Sequence, residues 1–374
     1  MASSFLSSPT MMTMILFLLL CTSAAADSAH PAPGGGGGSG FTHLFSFGDS
    51  ITDTGNLVSF VPSSTAARLP YGETFFRRPT GRFCDGRLIV DFLAEELRLP
   101  YLTAFLRGRT AEDFRRGANF AVSASTALGQ EFFNEMGLDL TIIPPYSLDV
   151  QLEWFKVLLH TFVSTDEERK EIMSKSLFLM GEVGYNDYNH PFFQNRCFTT
   201  EIKPLVPKVI AKIENAIKVL IELGAKTIVV PGLFPIGCVP RYLTIFQNKT
   251  NPKDYDEFGC IKWLNDFSKE HNRALTYMLE QIPRDLTLTI VYADYYSGAL
   301  EITRHPVVHG FKKETVLVAC CGDGGPYNSN SLFGCGSPSS NLCSDPSKHI
   351  SWDGLHLTEA AYNFVAHHVT WPKY

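Results

Sequence analysis

The sequence predicts an α/β fold whose parallel strands are joined by crossover helices. Two observations carry this: short β-branched runs alternate with longer stretches of helical periodicity, and no Pro/Gly/Ser-rich break or internal repeat interrupts residues 41–374. The first strand is read at 43–47 and a further one at 176–180. The clearest unit starts at Glu201. Leu205, Val209, Ile213, Ala216, Ile217, Leu220 and Ile221 share one helix face, Gly224 ends the helix, and 227–230 forms the strand that follows. A second unit pairs a helix over 262–279 with a strand over 286–292, and 357–369 reads as a closing helix. The length of 374 residues would permit two domains, but the unbroken pattern predicts one α/β domain with large loops.

The N-terminus reads as an export address. Met11 to Cys21 is almost wholly apolar and Ala24, Ala25 and Ala26 are the small residues signal peptidase requires, so 1–26 is assigned as a signal peptide, although no Lys or Arg precedes the apolar run. Residues 27–40, with five consecutive glycines, form a flexible leader that cannot pack a core. No later stretch is apolar enough to anchor the protein in a bilayer, so a secreted, extracellular or cell-wall protein is expected. Removing Cys21 from the nine cysteines leaves eight, an even number suited to disulfides in an oxidising compartment. Cys238 with Cys260 is a plausible loop closure; the remaining connectivity is open. Cys320 and Cys321 are adjacent and no CxxC pair occurs, which disfavours zinc. Asn248 begins the sequon Asn-Lys-Thr and is the expected glycosylation site. The net charge of -6 is spread along the chain, which excludes a phosphate-tracking surface and with it nucleic acid as a partner. With no heptad pattern, a monomer is the expectation.

Three segments carry candidate chemistry. An apolar strand ends in Gly48-Asp49-Ser50, which would place the Ser50 hydroxyl at the carboxyl end of a parallel sheet, where ligands bind. A hydroxyl needs a base and the base needs orienting. Asp353 and His356, three residues apart before a helix that Thr358 can cap, could meet in one tight turn: carboxylate on Nδ1, Nε2 facing a hydroxyl elsewhere. After the strand at 176–180 comes Gly184-Tyr185-Asn186-Asp187, in which the Asn186 amide could meet a developing oxyanion. Taken singly, each has a structural alternative: a plain turn, an ordinary histidine, a turn dipeptide.

Together the blocks, in this order, resemble those of the GDSL (SGNH) esterase/lipase family. Arg78 to Arg87, Gly117-Ala118-Asn119-Phe120-Ala121 and Pro235-Ile236-Gly237-Cys238-Val239-Pro240 resemble its plant branch. The resemblance implies a three-layer α/β/α sandwich with a central parallel sheet, related to the flavodoxin type. It also implies Ser50 as nucleophile, His356 as general base and acid, Asp353 as its orienter and Asn186 in the oxyanion hole, with no metal or organic cofactor. No GxSxG elbow is present, which argues against a standard α/β-hydrolase.

One block departs from the family pattern. Paired glycines are usual after Asn-Phe-Ala, and here Val122-Ser123-Ala124-Ser125 follows, so Ala124 replaces the glycine whose N–H joins the oxyanion hole. Alanine keeps the N–H, but its methyl excludes backbone shapes open only to glycine and would crowd the acyl group. Acetyl esters are therefore expected to turn over better than long-chain ones. The substrate expectation leans to O-acetyl esters of xylan-type wall polysaccharide. The alternatives are acyl esters of small metabolites or lipids, acyl transfer, and a non-catalytic sugar- or ester-binding protein. Tyr71, Phe75, Phe76, Tyr185 and Tyr188 stand near the motifs and could stack on sugars, though core packing is the commoner use of such rings.

Overall fold

The computed structural model describes residues 40–247, 251–332 and 334–373. The segment expected to be a signal peptide, almost all of the expected leader and the Asn248 sequon lie outside them.

Strand residues that are apolar on both faces need cover on both faces. The strands are β1 (His43–Phe47), β2 (Gly117–Asn119), β3 (Ser176–Met180), β4 (Thr227–Pro231) and β5 (Thr289–Ala293). They pair in parallel in the order β2-β1-β3-β4-β5. Successive side chains enter different cores. Phe45, Phe178, Met180, Ile228 and Val230 join one cluster, while Leu44, Leu177, Leu179 and Val229 join another. The flanking helices are α1 (Ile89–Leu97), α2 (Leu148–Phe162), α3 (Tyr185–Phe193), α4 (Val206–Leu223), α5 (Lys262–Gln281), α6 (Tyr295–Arg304) and α7 (Glu359–His368). Apolar faces of α2, α4 and α5 fill the first core, and those of α1, α6 and α7 the second. The result is a three-layer α/β/α sandwich with the flavodoxin strand order, whose crossover direction reverses between β1 and β3. A crevice opens there at the carboxyl ends of the strands.

Four details differ from the sequence reading. The strand β2 was not read as one, since it is three residues long and begins with a glycine. A Cβ on Gly117 would stand 1.7 Å from the Leu44 carbonyl oxygen, so close pairing with β1 requires glycine. Secondly, β5 starts at Thr289 rather than 286. Leu286 is fully exposed and Asp285 closes a turn by accepting from Thr287 N at 2.7 Å. Thirdly, α7 starts only at Glu359, because Thr358 caps it by accepting from Ala361 N, leaving Leu357 outside. Lastly, six of the eight cysteines are bridged, as Cys238–Cys260, Cys320–Cys343 and Cys321–Cys335, while Cys84 and Cys197 are free thiols. Among the described residues no helix is long and apolar enough to cross a membrane.

Candidate active site

The turn after β1 is built by its glycine. Gly48 has φ +138, and a Cβ there would lie 2.4 Å from the backbone oxygen of Glu182. Gln151 of α2 clasps both of its backbone groups, accepting from Gly48 N at 2.8 Å and donating to Gly48 O at 2.9 Å. Asp49 then accepts from Ile51 N on its side chain and from Asp53 N on its carbonyl. Ser50 is thereby held at the lip of the crevice, and the structure brings it to both residues expected as its partners.

His356 Nε2 stands 2.8 Å from Ser50 Oγ, and its Nδ1 stands 2.7 Å from Asp353 Oδ2. The spacing of three works because Gly354, at φ +96, folds the chain back, and Asp353 Oδ1 accepts from the backbone N–H of Leu355 and His356. Burial alone would raise the Asp353 carboxyl, but the charge of His356 and these hydrogen bonds outweigh it and hold the group below the usual carboxylate range. An ionised Asp353 keeps the proton on Nδ1, which leaves Nε2 to accept from the serine hydroxyl.

Tyr71 is a fourth member that no pattern announced, since it lies 282 positions from Asp353. Its hydroxyl donates to Asp353 Oδ2 at 2.9 Å, the same oxygen that faces the imidazole. The ring is wedged edge-on against Phe83 and Trp352, in a small core with Cys320, Cys321 and Cys335. Tyr71 therefore packs and positions rather than stacking on a sugar, and Tyr185 and Tyr188 are buried too. Phe75 and Phe76 are covered on one side by the guanidinium groups of Arg87 and Arg82. Tyr71→Phe keeps the packing and removes the donor. We expect kcat to fall about 3- to 10-fold, in line with the net worth of one ordinary hydrogen bond. The acid limb of kcat/KM should move to higher pH, because an unshared carboxylate holds the imidazolium more firmly. A pH–rate profile of the variant checks this.

The opposite wall is the loop after β2. Asp53 anchors it, its carboxylate accepting from Gly55 N, Asn56 N, Leu57 N, Ser123 N and Ser123 Oγ. Ala124 has φ +67 and its carbonyl accepts from His190 Nε2 at 2.9 Å. Burial lowers the His190 pKa to about 4, so this ring is neutral. The methyl of Ala124 has thus not excluded the left-handed shape that glycine would supply; alanine adopts it, at a cost of about 1–2 kcal/mol. Asn186 comes to the site as expected, but both hydrogens of its amide are engaged, with Asp49 Oδ2 and Ser125 O at 3.0 Å each. Burial, opposed by the Ile51 hydrogen bond and the His356 charge, pushes the Asp49 carboxyl up to about 7. Among the described residues no protein acceptor takes the backbone N–H of Ser50 or of Ala124. Both residues line the same cavity, and the Ser50 N–H had no signal of its own in the sequence.

These residues line a cavity of about 640 Å³, in the range that holds a small organic ligand. Its walls are largely apolar, with Leu57, Phe60, Val61, Leu140, Ile142 and Phe193 among them.

A profile of the GDSL-like lipase/acylhydrolase family matches residues 44–369. A sinapine esterase of Brassica napus is 46% identical over 332 residues, covering 87% of this chain and 84% of that protein. Two GDSL esterase/lipases of Arabidopsis thaliana are 46% and 45% identical, covering 87% and 86% of this chain and 82% and 88% of their own lengths.

Proposed function

The chain belongs to the GDSL-like lipase/acylhydrolase family and is a carboxylic ester hydrolase, and from that premise we propose that Ser50, His356 and Asp353 carry the reaction. The supporting observation is the unbroken hydrogen-bond chain from the Ser50 hydroxyl through the imidazole to Asp353, at 2.8 and 2.7 Å. Ser50 Oγ attacks the ester carbonyl and its proton passes to His356 Nε2. The oxyanion that forms is met by the N–H groups of Ser50 and Ala124, and by Asn186 if its amide exchanges one present partner for the substrate. Asp353 steadies the imidazolium, which then protonates the departing alcohol. A water deprotonated by His356 attacks the acyl-enzyme, the carboxylic acid leaves, and Ser50 regains its proton.

For the substrate, the apolar cavity supports a small ester with a sizeable apolar or aromatic portion over an acetyl group on a polysaccharide backbone. Residues 41–374 act as one catalytic unit, exported as a monomer, with residues 1–26 as the signal peptide and Asn248 glycosylated. The three disulfides support passage through an oxidising compartment.

The test is a panel of 4-nitrophenyl acetate, butyrate, hexanoate and cinnamate beside acetylated xylan, using protein that starts at Asp27. Each methylene buried in an apolar wall is worth roughly 0.8 kcal/mol, so hexanoate should exceed acetate in kcat/KM by about tenfold or more. Acetate release from xylan faster than hydrolysis of every small ester would restore the polysaccharide reading. A folded protein that turns over none of them would be a binding protein on this fold.

A further inference from the structure

We infer that Arg68 makes the site selective for esters that carry a carboxylate on the portion lying away from the reacting carbonyl. This rests on the ester-hydrolase reading of the cavity and adds the charge of its substrate. The ionisable side chains lining the cavity are Arg68, Tyr71, Tyr185, His190, Asp353 and His356. Asp353 is committed to Tyr71 and His356. His190 is neutral and bonded to the Ala124 carbonyl. Burial raises both tyrosines well above their ordinary range, so they keep their protons. Arg68 is different: its side chain is exposed, and among the described residues no carboxylate lies within ion-pair distance of it. Of the two charges in the lining, the negative one is covered at Asp353 behind the imidazole and the Tyr71 hydroxyl, so the charge open to a substrate is the Arg68 guanidinium.

A guanidinium presents paired N–H donors in a rigid plane that matches a carboxylate, and it cannot be neutralised by pH. The apolar residues that share the cavity with Arg68 and the nucleophile suit a hydrocarbon or aromatic spacer. An ester of a dicarboxylic acid, or of an alcohol bearing a carboxylate, meets both features. An ester bearing a fixed cation would face Arg68 with no free acid in the lining to offset it.

Two ester series test this, each with a carboxylate, a neutral and a trimethylammonium member. In the acyl series these are the 4-nitrophenyl esters of adipate, hexanoate and 6-(trimethylammonio)hexanoate. In the alcohol series they are the butyrates of 4-hydroxybenzoate, phenol and 4-(trimethylammonio)phenol. Ratios of kcat/KM within a series, compared between native protein and Arg68→Gln, cancel the intrinsic reactivity of each ester. In at least one series the carboxylate-to-neutral ratio should fall about fivefold or more in Arg68→Gln, the span of a charge-assisted contact. Arg68→Glu should turn the preference toward the cation. Added salt should lower the carboxylate ester's kcat/KM in the native protein and leave it nearly flat in Arg68→Gln. Ratios that the substitutions do not move in either series, with the neutral esters turned over, would overturn the role of Arg68 while leaving the esterase reading intact. If native protein hydrolyses no member of either series, the esterase reading fails and this inference fails with it.

Discussion

Ser50→Ala should lower kcat on every ester this protein turns over by about 10⁴-fold or more, with the fold unchanged. Losses of this size follow removal of a nucleophile from a triad that works as a unit, and the residue left behind reflects the oxyanion donors alone. Among the described residues, the serine or threonine hydroxyl bonded to His356 Nε2 is that of Ser50. Ser50 carries little of the packing, so melting should change little, and KM should move less than kcat. The comparison needs only purified native and variant protein, one chromogenic ester and a thermal melt. A variant that retains more than about a tenth of native kcat would remove Ser50 from the nucleophile's place, since nothing in a triad mechanism allows it.

Gly48→Ala is the second large effect, and it acts through backbone. At φ +138 an alanine is strained already, and its Cβ would meet the Glu182 carbonyl oxygen at 2.4 Å and Thr52 Cγ2 at 3.0 Å. The first of these is main chain after β3 and cannot swing aside as a side-chain tip would. We expect a loss of about 3 kcal/mol or more in unfolding free energy, the sum of strain and overpacking. Activity should fall about 100-fold in the fraction that remains folded, because Ser50 two residues on would shift against His356. Gly310→Ala is the control: its φ is +86, but nothing lies within 4 Å of the added atom. That variant should lose about 1 kcal/mol and no activity. Equal losses in the two would mean that φ alone matters and that contact with Glu182 does not. Chemical denaturation and a kcat measurement on each separate the cases.

Much of this architecture was legible because buried parallel strands advertise themselves. The run that became β3 is apolar from Leu177 to Met180, the one that became β1 is apolar but for His43 and Ser46, and both end at the residues expected. The segment that became β2 has no such run: its pairing rests on a glycine that lets two backbones approach, and absence of a side chain leaves no periodicity to read. In β5, Leu286 imitated a strand start, while the decisive residue was Asp285, whose side chain closes a turn over it. The reacting residues were legible for another reason. A nucleophile, a base and its orienter must be particular residue types, and the Asp353–His356 spacing is short enough to be seen in one line of sequence. Tyr71 and Gln151 reach the site across long separations, and Asp53, though close to Ser50 in sequence, ties in the Ser123 loop 70 residues away; many residue types can make such hydrogen bonds, so sequence order does not reveal them. Ala124 shows a further limit. Its replacement of glycine was visible, yet only the backbone angle shows that the left-handed shape persists.

A triad of this geometry acts through a covalent acyl intermediate on Ser50. The most direct measurement is inactivation with a 4-nitrophenyl alkylphosphonate, followed by intact-mass analysis and peptide mapping. One adduct per chain is expected, on the Ser50 peptide, with loss of activity in step with labelling and much slower labelling in His356→Ala. An adduct on a different residue that tracks the loss of activity, or an active enzyme that the phosphonate never labels at Ser50, would contradict it.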